Sequence, residues 1–250
     1  MALGIIIRRE FFQLAHSVHG LGPLILALAG SGALLVWFLQ RAEGTMETLP
    51  ALWGLSAAIG LPFLAAVAAS RGFTQDREGG MLRLMFATPV RSRGWVWGKV
   101  WAAWGLCMVY LGGLSVACWV LLRWLLPDSA QVPWTWLGFL FAGGALAVQA
   151  LFWSALGTLI SLFSRSSAST FLLSLLACAL VPPLMCRAGR LLTPGATVQW
   201  PWFPFQAMVY DCAGGVLDLR LLVGSLAMTA VFVYAAGLVF DALRLCATER

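Results

Sequence analysis

The chain has 250 residues, of which 61% are hydrophobic and 10% are charged, and its mean hydropathy is +0.87. A soluble domain carries about 25% charged residues, so this composition excludes an ordinary soluble protein and predicts an all-α, multi-pass membrane protein. The formal net charge is +6. No basic run is interleaved with aromatic residues on a polar surface, so no nucleic-acid partner is expected, and membrane topology explains the positive charge better.

Residues 1–18 combine apolar side chains such as Ile5 and Phe12 with the charged run Arg8, Arg9 and Glu10. This mixture is typical of an amphipathic helix. We predict that the segment forms an interfacial helix along the inner surface of the membrane.

Six apolar runs follow, each near the length of about 20 residues that a membrane-spanning helix needs. They are Leu21–Leu39, Leu49–Ser70, Gly98–Leu122, Trp134–Phe163, Ser167–Met185 and Leu221–Phe240. The sequence therefore predicts one transmembrane domain over residues 1–250 with six spanning helices. The fourth run is longer than a perpendicular span requires, which predicts a tilted or extended helix.

The distribution of Lys and Arg among the connecting segments predicts the orientation. If the N-terminus is inside, eleven basic residues lie on the cytoplasmic side and five on the other. The eleven are Arg8, Arg9, Arg71, Arg77, Arg83, Arg91, Arg93, Lys99, Arg165, Arg244 and Arg250, and the five are Arg41, Arg123, Arg187, Arg190 and Arg220. This excess predicts that both termini are cytoplasmic, and the expected location is the inner (plasma) membrane of the cell.

The six runs hold no acidic or basic residue deep inside them, which counts against a proton- or sodium-driven carrier. Lys99 and Arg123 lie near helix ends and are expected to snorkel. Gln149 is the most central strongly polar residue; it either lies on a translocation path or bonds across helices. Small residues on the fourth run favour close helix packing there, namely Gly143, Gly144, Ser154, Gly157 and Ser161.

Residues 186–220 are too long for a simple turn and are rich in aromatic residues and proline. They are predicted to form re-entrant or amphipathic helices on the outer side, between the fifth and sixth spans. Cys186 and Cys212 both fall in this segment, and whether they form a disulfide is left open.

One polar, basic segment, Gln75–Val100, interrupts the apolar runs between the second and third spans, and we call it the elbow. Its apolar residues Met81, Leu82, Leu84 and Met85 recur at i, i+1, i+3 and i+4, which predicts a short helix with one apolar face. Pro89 is expected to end that helix, and Ser92 is predicted to cap the next helix, which carries Lys99 in its first turns. The face either binds a partner or dips into lipid headgroups.

The sequence shows no group of residues that is typical of a catalytic or metal-binding site. Two histidines and ten acidic residues are scattered over many segments, and the six cysteines show neither a CxxC motif nor metal-ligand spacing. No catalytic triad, metal cluster or glycine-rich nucleotide fingerprint occurs, so no catalytic, cofactor or metal site is predicted in the chain. If the protein performs driven transport, another subunit must supply the energy.

The stretch DREGGMLRLMFATPVRSRGWVWGKV resembles the cytoplasmic segment of ABC-2 type transporter permeases. Residues that fall on the family pattern are Arg77, Glu78, Gly80, Leu82, Met85, Pro89, Val90, Gly98 and Lys99, while Met81 stands where the family usually has Thr. RREFFQLAHSVHG and LGTLISLFSRSSAST are similar to the N-terminal helix and the end of the fourth helix of the family. GGVLDLRLLVGSLAMTAVFVYAAGLV is similar to the approach to the sixth helix of the family, and its part Gly215–Arg220 resembles the branch for gliding motility and nitrous-oxide-reductase maturation.

The resemblance implies the permease subunit of an ATP-binding cassette exporter. A second permease chain, identical or related, would pair with it, and two separate cytoplasmic ATPases would bind ATP and Mg²⁺. Residues 75–95 would be the coupling segment, with the coupling helix at 78–89. The residues implied in contact with the ATPase are Arg77, Glu78, Gly80, Met81, Leu82, Leu84, Met85 and Pro89.

Two other functions stay open. The chain could be a membrane scaffold that uses the elbow to hold a partner other than an ATPase. It could also be a lipid-modifying membrane enzyme, although the missing acid–base cluster counts against that. The substrate of an exporter is not indicated by the sequence.

Overall fold

The computed structural model describes residues 2–41, 49–88, 91–125, 136–192, 204–216 and 219–248. All regular secondary structure within these ranges is helical. The helices, numbered in chain order, are α1 Ala2–Ala15, α2 Val18–Arg41, α3 Leu49–Ser70, α4 Phe73–Glu78, α5 Met81–Ala87, α6 Ser92–Leu125, α7 Trp136–Phe163, α8 Ser167–Leu192, α9 Pro204–Ala213 and α10 Leu219–Thr248.

Five of the described helices are long and apolar enough to cross a membrane, as expected for a multi-pass membrane protein. They are α2, α3, α6, α7 and α10, and they correspond to five of the six predicted spans. The sixth predicted span, Ser167–Met185, falls in α8, whose described apolar part is Ser167–Val181. A count of six spans therefore stays a prediction.

Helix α3 is buried along most of its length and packs against α2, α6, α7, α8 and α9. Its alanines and glycines allow this, because small side chains let neighbouring helices approach closely. A Cβ added at Gly157 of α7 would lie 2.6 Å from Cβ of Ala69 on α3. At Gly144, by contrast, an added Cβ would meet no atom within 4 Å. The predicted small-residue stripe of α7 thus serves close packing at Gly157 and not at Gly144.

Helix α6 begins at Ser92, earlier than the predicted start of the third span at Gly98. This start agrees with the prediction of a helix that begins at Ser92 and carries Lys99 in its first turns. The turns before the apolar run are also buried, because Trp95 and Val96 belong to one apolar cluster with residues of α4 and α5.

Helix α9 lies in the predicted outer segment 186–220. Its residues Met208, Val209 and Cys212 are buried, and Tyr210 and Asp211 are exposed, so the helix is amphipathic. It packs on α3 and α7. The side chain of Cys186 lies outside the described residues, so its pairing with Cys212 stays untested.

Candidate functional site: the elbow

The elbow contains two short helices rather than one. Helix α4 ends at Glu78, and Gly80 has φ of 71°, in the left-handed region that residues with a side chain avoid. The Gly79–Gly80 pair therefore breaks the helix, and α5 starts at Met81. Helix α5 ends at Ala87, and Thr88 is extended with ψ of 147°, as expected for a residue before proline. Pro89 itself lies outside the described residues.

The four apolar residues of α5 lie on one side of the helix, as predicted, but the rest of the protein covers only part of that side. Leu82 and Met85 are buried, at 9% and 6% exposure, whereas Leu84 is 64% exposed and Met81 37%. At about 100° per residue, the four positions cover an arc of about 160°. The protein covers the side with Leu82 and Met85 and leaves the side with Leu84 open. The side chain of Arg83 is outside the described part.

The inner side of α5 belongs to an apolar cluster that joins the short helices α4 and α5 to four long or N-terminal helices, α1, α6, α7 and α10. The ring of Phe240 on α10 lies 5.2 Å from that of Phe73 and 5.3 Å from that of Phe86, centroid to centroid. The buried members of this cluster come from α1, α4, α5, α6, α7 and α10, and are Ile6, Phe73, Leu82, Met85, Trp95, Val96, Val100, Ala155, Leu162, Val233, Ala236 and Phe240. Consequently, α5 cannot shift without disturbing the ends of the long helices.

Arg77 connects the elbow to the end of α7. Its Nη1 donates to the backbone oxygen of Ser164 at 2.6 Å, and its Nη2 donates to that of Leu162 at 2.9 Å. The last carbonyls of a helix lack partners within the helix and carry the negative end of its dipole. A guanidinium is well suited to this position because it offers several donors in one plane.

Glu78 makes the complementary connection to the start of α8. Its Oε1 accepts from the backbone N–H of Ser167 at 3.0 Å, and its Oε2 accepts from the Ser167 hydroxyl at 2.8 Å. A carboxylate at a helix N-terminus satisfies an orphan N–H and faces the positive end of the dipole. Arg77 and Glu78 are adjacent in sequence, so one dipeptide holds both sides of the α7–α8 junction.

Lys99 of α6 is buried between two carboxylates, an arrangement that we call the ion triad. Its Nζ lies 2.8 Å from Oε2 of Glu10 on α1 and 2.6 Å from Oδ2 of Asp76 on α4. The contact with Glu10 is also a well-aligned hydrogen bond. The contact with Asp76 is a close ion pair without hydrogen-bond alignment, since Asp76 Oδ2 has no hydrogen-bond partner in the described part. The triad ties α1, α4 and α6 together.

The burial of Lys99 corrects the expectation that it would snorkel. Its side chain is 3% exposed, against 10% for Glu10 and 18% for Asp76. Its Nζ also lies 5.1 Å from the centroid of the Phe73 ring. Sequence reasoning missed Glu10 and Asp76 as members of a site because they are distant along the chain. The sequence feature that could have indicated such a site is Lys99 itself, a single lysine within an apolar helix that needs an acidic partner if it is buried.

The outer side of α5 borders an apolar cleft of about 170 Å³. It lies between α1, α5 and the start of α6, and its walls include Met81, Leu84, Met85 and Trp95. A cleft of this size accepts an apolar side chain of a partner, and the exposed Leu84 stands at its wall. Two of the residues predicted to contact an ATPase thus lie on this surface with an exposed side chain, namely Met81 and Leu84.

Gln149, the other predicted site residue, lies in α7 and is 3% exposed. Its Oε1 has no hydrogen-bond partner among the described residues. The side chain is therefore inside the helix bundle of one chain and away from its surface. A role on a translocation path stays a prediction.

The described residues contain no group of three or more His, Cys, Asp or Glu side chains close enough to hold a metal ion. Compared with protein-family models and with curated proteins, the chain matches none. The resemblance to ABC-2 type permeases stays a prediction from the sequence.

Proposed function

We propose that the chain is the transmembrane permease subunit of an ATP-binding cassette exporter. A separate ATPase subunit binds the outer side of α5 and drives the movement of an unidentified substrate across the inner membrane. One observation carries the proposal: the elbow exposes Leu84 and Met81 to a partner while its other side is bonded to the long helices. This is the arrangement that a lever between an ATPase and a membrane domain needs.

Two connections would transmit the movement. Arg77 and Glu78 hold the α7–α8 junction, so a displacement of α4 acts on both of those helices. The ion triad holds α1 and α6 to the same short helix. A partner that pushes on α5 therefore acts on four helices at once, which supports a rigid-body mechanism of alternating access.

The remaining features belong to the same proposal. Helix α8 is the sixth span, α1 lies on the inner membrane surface, α9 faces the outer side, and both termini are cytoplasmic. ATP and Mg²⁺ are bound by the partner ATPase, and a second permease chain, identical or related, completes the pathway. The excess of basic residues on one set of connecting segments supports this orientation.

The test replaces Leu84 by Asp and measures co-purification with the ABC ATPase encoded in the same genome. Leu84 is exposed, so the variant folds, whereas Asp at the buried Leu82 or Met85 would disrupt the chain itself. We expect the yield of bound ATPase to fall at least about tenfold, the loss typical of a contact at the centre of an interface. Transport-coupled ATP hydrolysis should fall with it.

The matched control is Ala242→Asp. Ala242 is exposed on α10, and helical geometry places it away from the buried Phe240 on that helix. It adds the same charge on the proposed cytoplasmic side, and the ATPase should stay bound. If Leu84→Asp binds the ATPase like the unaltered chain, the proposal is wrong. A stable complex that lacks any nucleotide-binding subunit would support the scaffold function instead.

A further inference from the structure

A second, more polar cavity of about 340 Å³ lies beside the ion triad. It is enclosed by α1, the turn after α3, and the start of the elbow. The residues that matter for its chemistry are Arg9, Glu10, Gln13, Ser17, Arg71 and Asp76. It shares Arg9, Asp76 and Met81 with the apolar cleft, so the two spaces are neighbours on one side of the molecule.

The charges around this cavity favour an anion. Glu10 and Asp76 face Lys99, whose Nζ is within 2.8 Å of both. Arg9 and Arg71 form no ion pair with a described residue, although the charge of Arg9 acts on Asp76. Lys99 does not itself line the cavity, but it neutralises charge on the two carboxylates that do, so three cations stand against two carboxylates. An anionic ligand would neutralise the resulting net charge of +1.

The guanidinium of Arg71 can donate more hydrogen bonds than the one described to a side chain of the protein. Arg71 donates from Nη1 to the hydroxyl of Ser17 at 2.9 Å, which fixes the guanidinium at the cavity wall. A guanidinium has five N–H donors, and its planar fork matches two oxygens of one phosphate. Gln13 adds an amide that can donate to the same group.

The position of the cavity favours a lipid as the source of the phosphate. Arg71 directly follows α3, one of the candidate spanning helices, and so stands where an apolar helix ends. Arg9 lies on α1, whose Ile5 and Phe12 are exposed and apolar. Basic pockets at this border of a membrane protein take anionic headgroups. We propose that the polar cavity binds the phosphate group of an anionic lipid, through Arg71 and Arg9. This proposal does not depend on the ATPase.

The experiment uses the full chain in detergent and measures bound lipid by native mass spectrometry during titration with phosphatidylglycerol or phosphatidylcholine. We expect preferential retention of phosphatidylglycerol, and a loss of affinity of at least about tenfold in Arg71→Gln, because a charged hydrogen-bond partner is removed. Arg9→Gln should weaken binding in the same direction, and since Arg9 is exposed this variant keeps its packing. Arg91→Gln is the matched control, because Arg91 is exposed and lies outside the cavity lining.

A parallel titration with glycerol phosphate and inorganic phosphate distinguishes the two sources of the group. Binding of these soluble anions that is lost in Arg71→Gln, with no preference among lipids, would assign the cavity to a soluble phosphate. Equal retention of the two lipids without binding of the soluble anions would overturn the proposal. Unchanged phosphatidylglycerol binding in both Arg71→Gln and Arg9→Gln would also overturn it.

Discussion

The elbow and the membrane core of this protein are stabilised in different ways. The core, which we define as the apolar cluster of α2, α3, α6, α7 and α9, contains mainly Leu, Ala and aromatic side chains. Its polar contacts between helices involve neutral groups, such as the hydrogen bond between the hydroxyls of Ser31 and Tyr110 and the one that Trp104 Nε1 donates to the backbone oxygen of Ala147. The elbow instead combines an apolar cluster with a buried lysine, two carboxylates and an arginine–glutamate dipeptide. Close packing of side chains therefore determines the structure of the core, whereas ion pairs and hydrogen bonds of charged residues attach the elbow to it.

This difference follows from the surroundings of the two regions, because the spanning helices of the core are predicted to lie in lipid. Spanning helices in lipid gain little from apolar contact as such, and close packing of small residues holds them together. A buried ion pair is a poor way to gain stability, but removing one partner is expensive, because it leaves an uncompensated charge. The buried charges therefore add little to the overall stability of the elbow, but they hold it in one position. We expect the free energy of unfolding to fall most when a substitution leaves a buried charge without its partner, and least when it removes a hydrogen bond between neutral groups.

The largest effect is expected from Lys99→Met. The change keeps an apolar side chain of similar length but leaves Glu10 and Asp76 facing each other with no cation between them. We expect the free energy of unfolding to fall by about 3–5 kcal/mol, the cost of breaking a buried pair. Unfolding in mixed micelles by titration with dodecyl sulfate measures it.

The control for Lys99→Met is the triple variant Lys99→Met, Glu10→Gln, Asp76→Asn, which removes all three charges. If stranded charge is the cause, this neutral variant should recover most of the lost stability, since apolar or neutral replacements of a whole ion cluster are often tolerated. A triple variant as unstable as Lys99→Met alone would show that shape, and not charge, fixes the elbow.

The variant that tests close packing in the core is Gly60→Val on α3. A Cβ at Gly60 would overlap the hydroxyl of Tyr110 on α6 and crowd that of Ser31 on α2. We expect a loss of about 1–3 kcal/mol, the usual cost of overpacking. Gly144→Val on α7 is the matched control, because an added Cβ there meets no atom within 4 Å. Equal losses at both glycines would mean that close packing at Gly60 is not what specifies the core.

The helices of the core were the part of the fold that the sequence predicted well. A membrane-spanning helix must satisfy its backbone internally, so length and apolarity are enough to find it. Five predicted spans match described candidate spans, and α6 begins at Ser92, where its cap was predicted. The burial of Trp95 and Val96 in these first turns could not be predicted, since it comes from segments distant in sequence.

The short helix α5 of the elbow was expected from its apolar pattern, but neither α4 nor the contacts of the elbow were. Arg77 and Glu78 were recognised from their motif, yet their bonds to Ser164 and Ser167 join segments almost 90 positions apart in sequence. The division of α5 into a buried and an exposed side likewise depends on where Phe240 and Trp95 lie. A sequence pattern gives the width of an apolar arc, and only tertiary packing decides which part of it is covered.

The smallest effect is expected from Tyr110→Phe, which removes the hydroxyl that bonds to Ser31 and leaves the ring in place. Hydrogen bonds between membrane helices average about 0.6 kcal/mol, because a serine in a helix can return its hydroxyl to its own backbone. We expect a loss of that order in the same dodecyl sulfate titration, with Ser31→Ala close to it. A loss above about 2 kcal/mol would show that the core relies on polar pairing as the elbow does, and the contrast between the two regions would no longer hold.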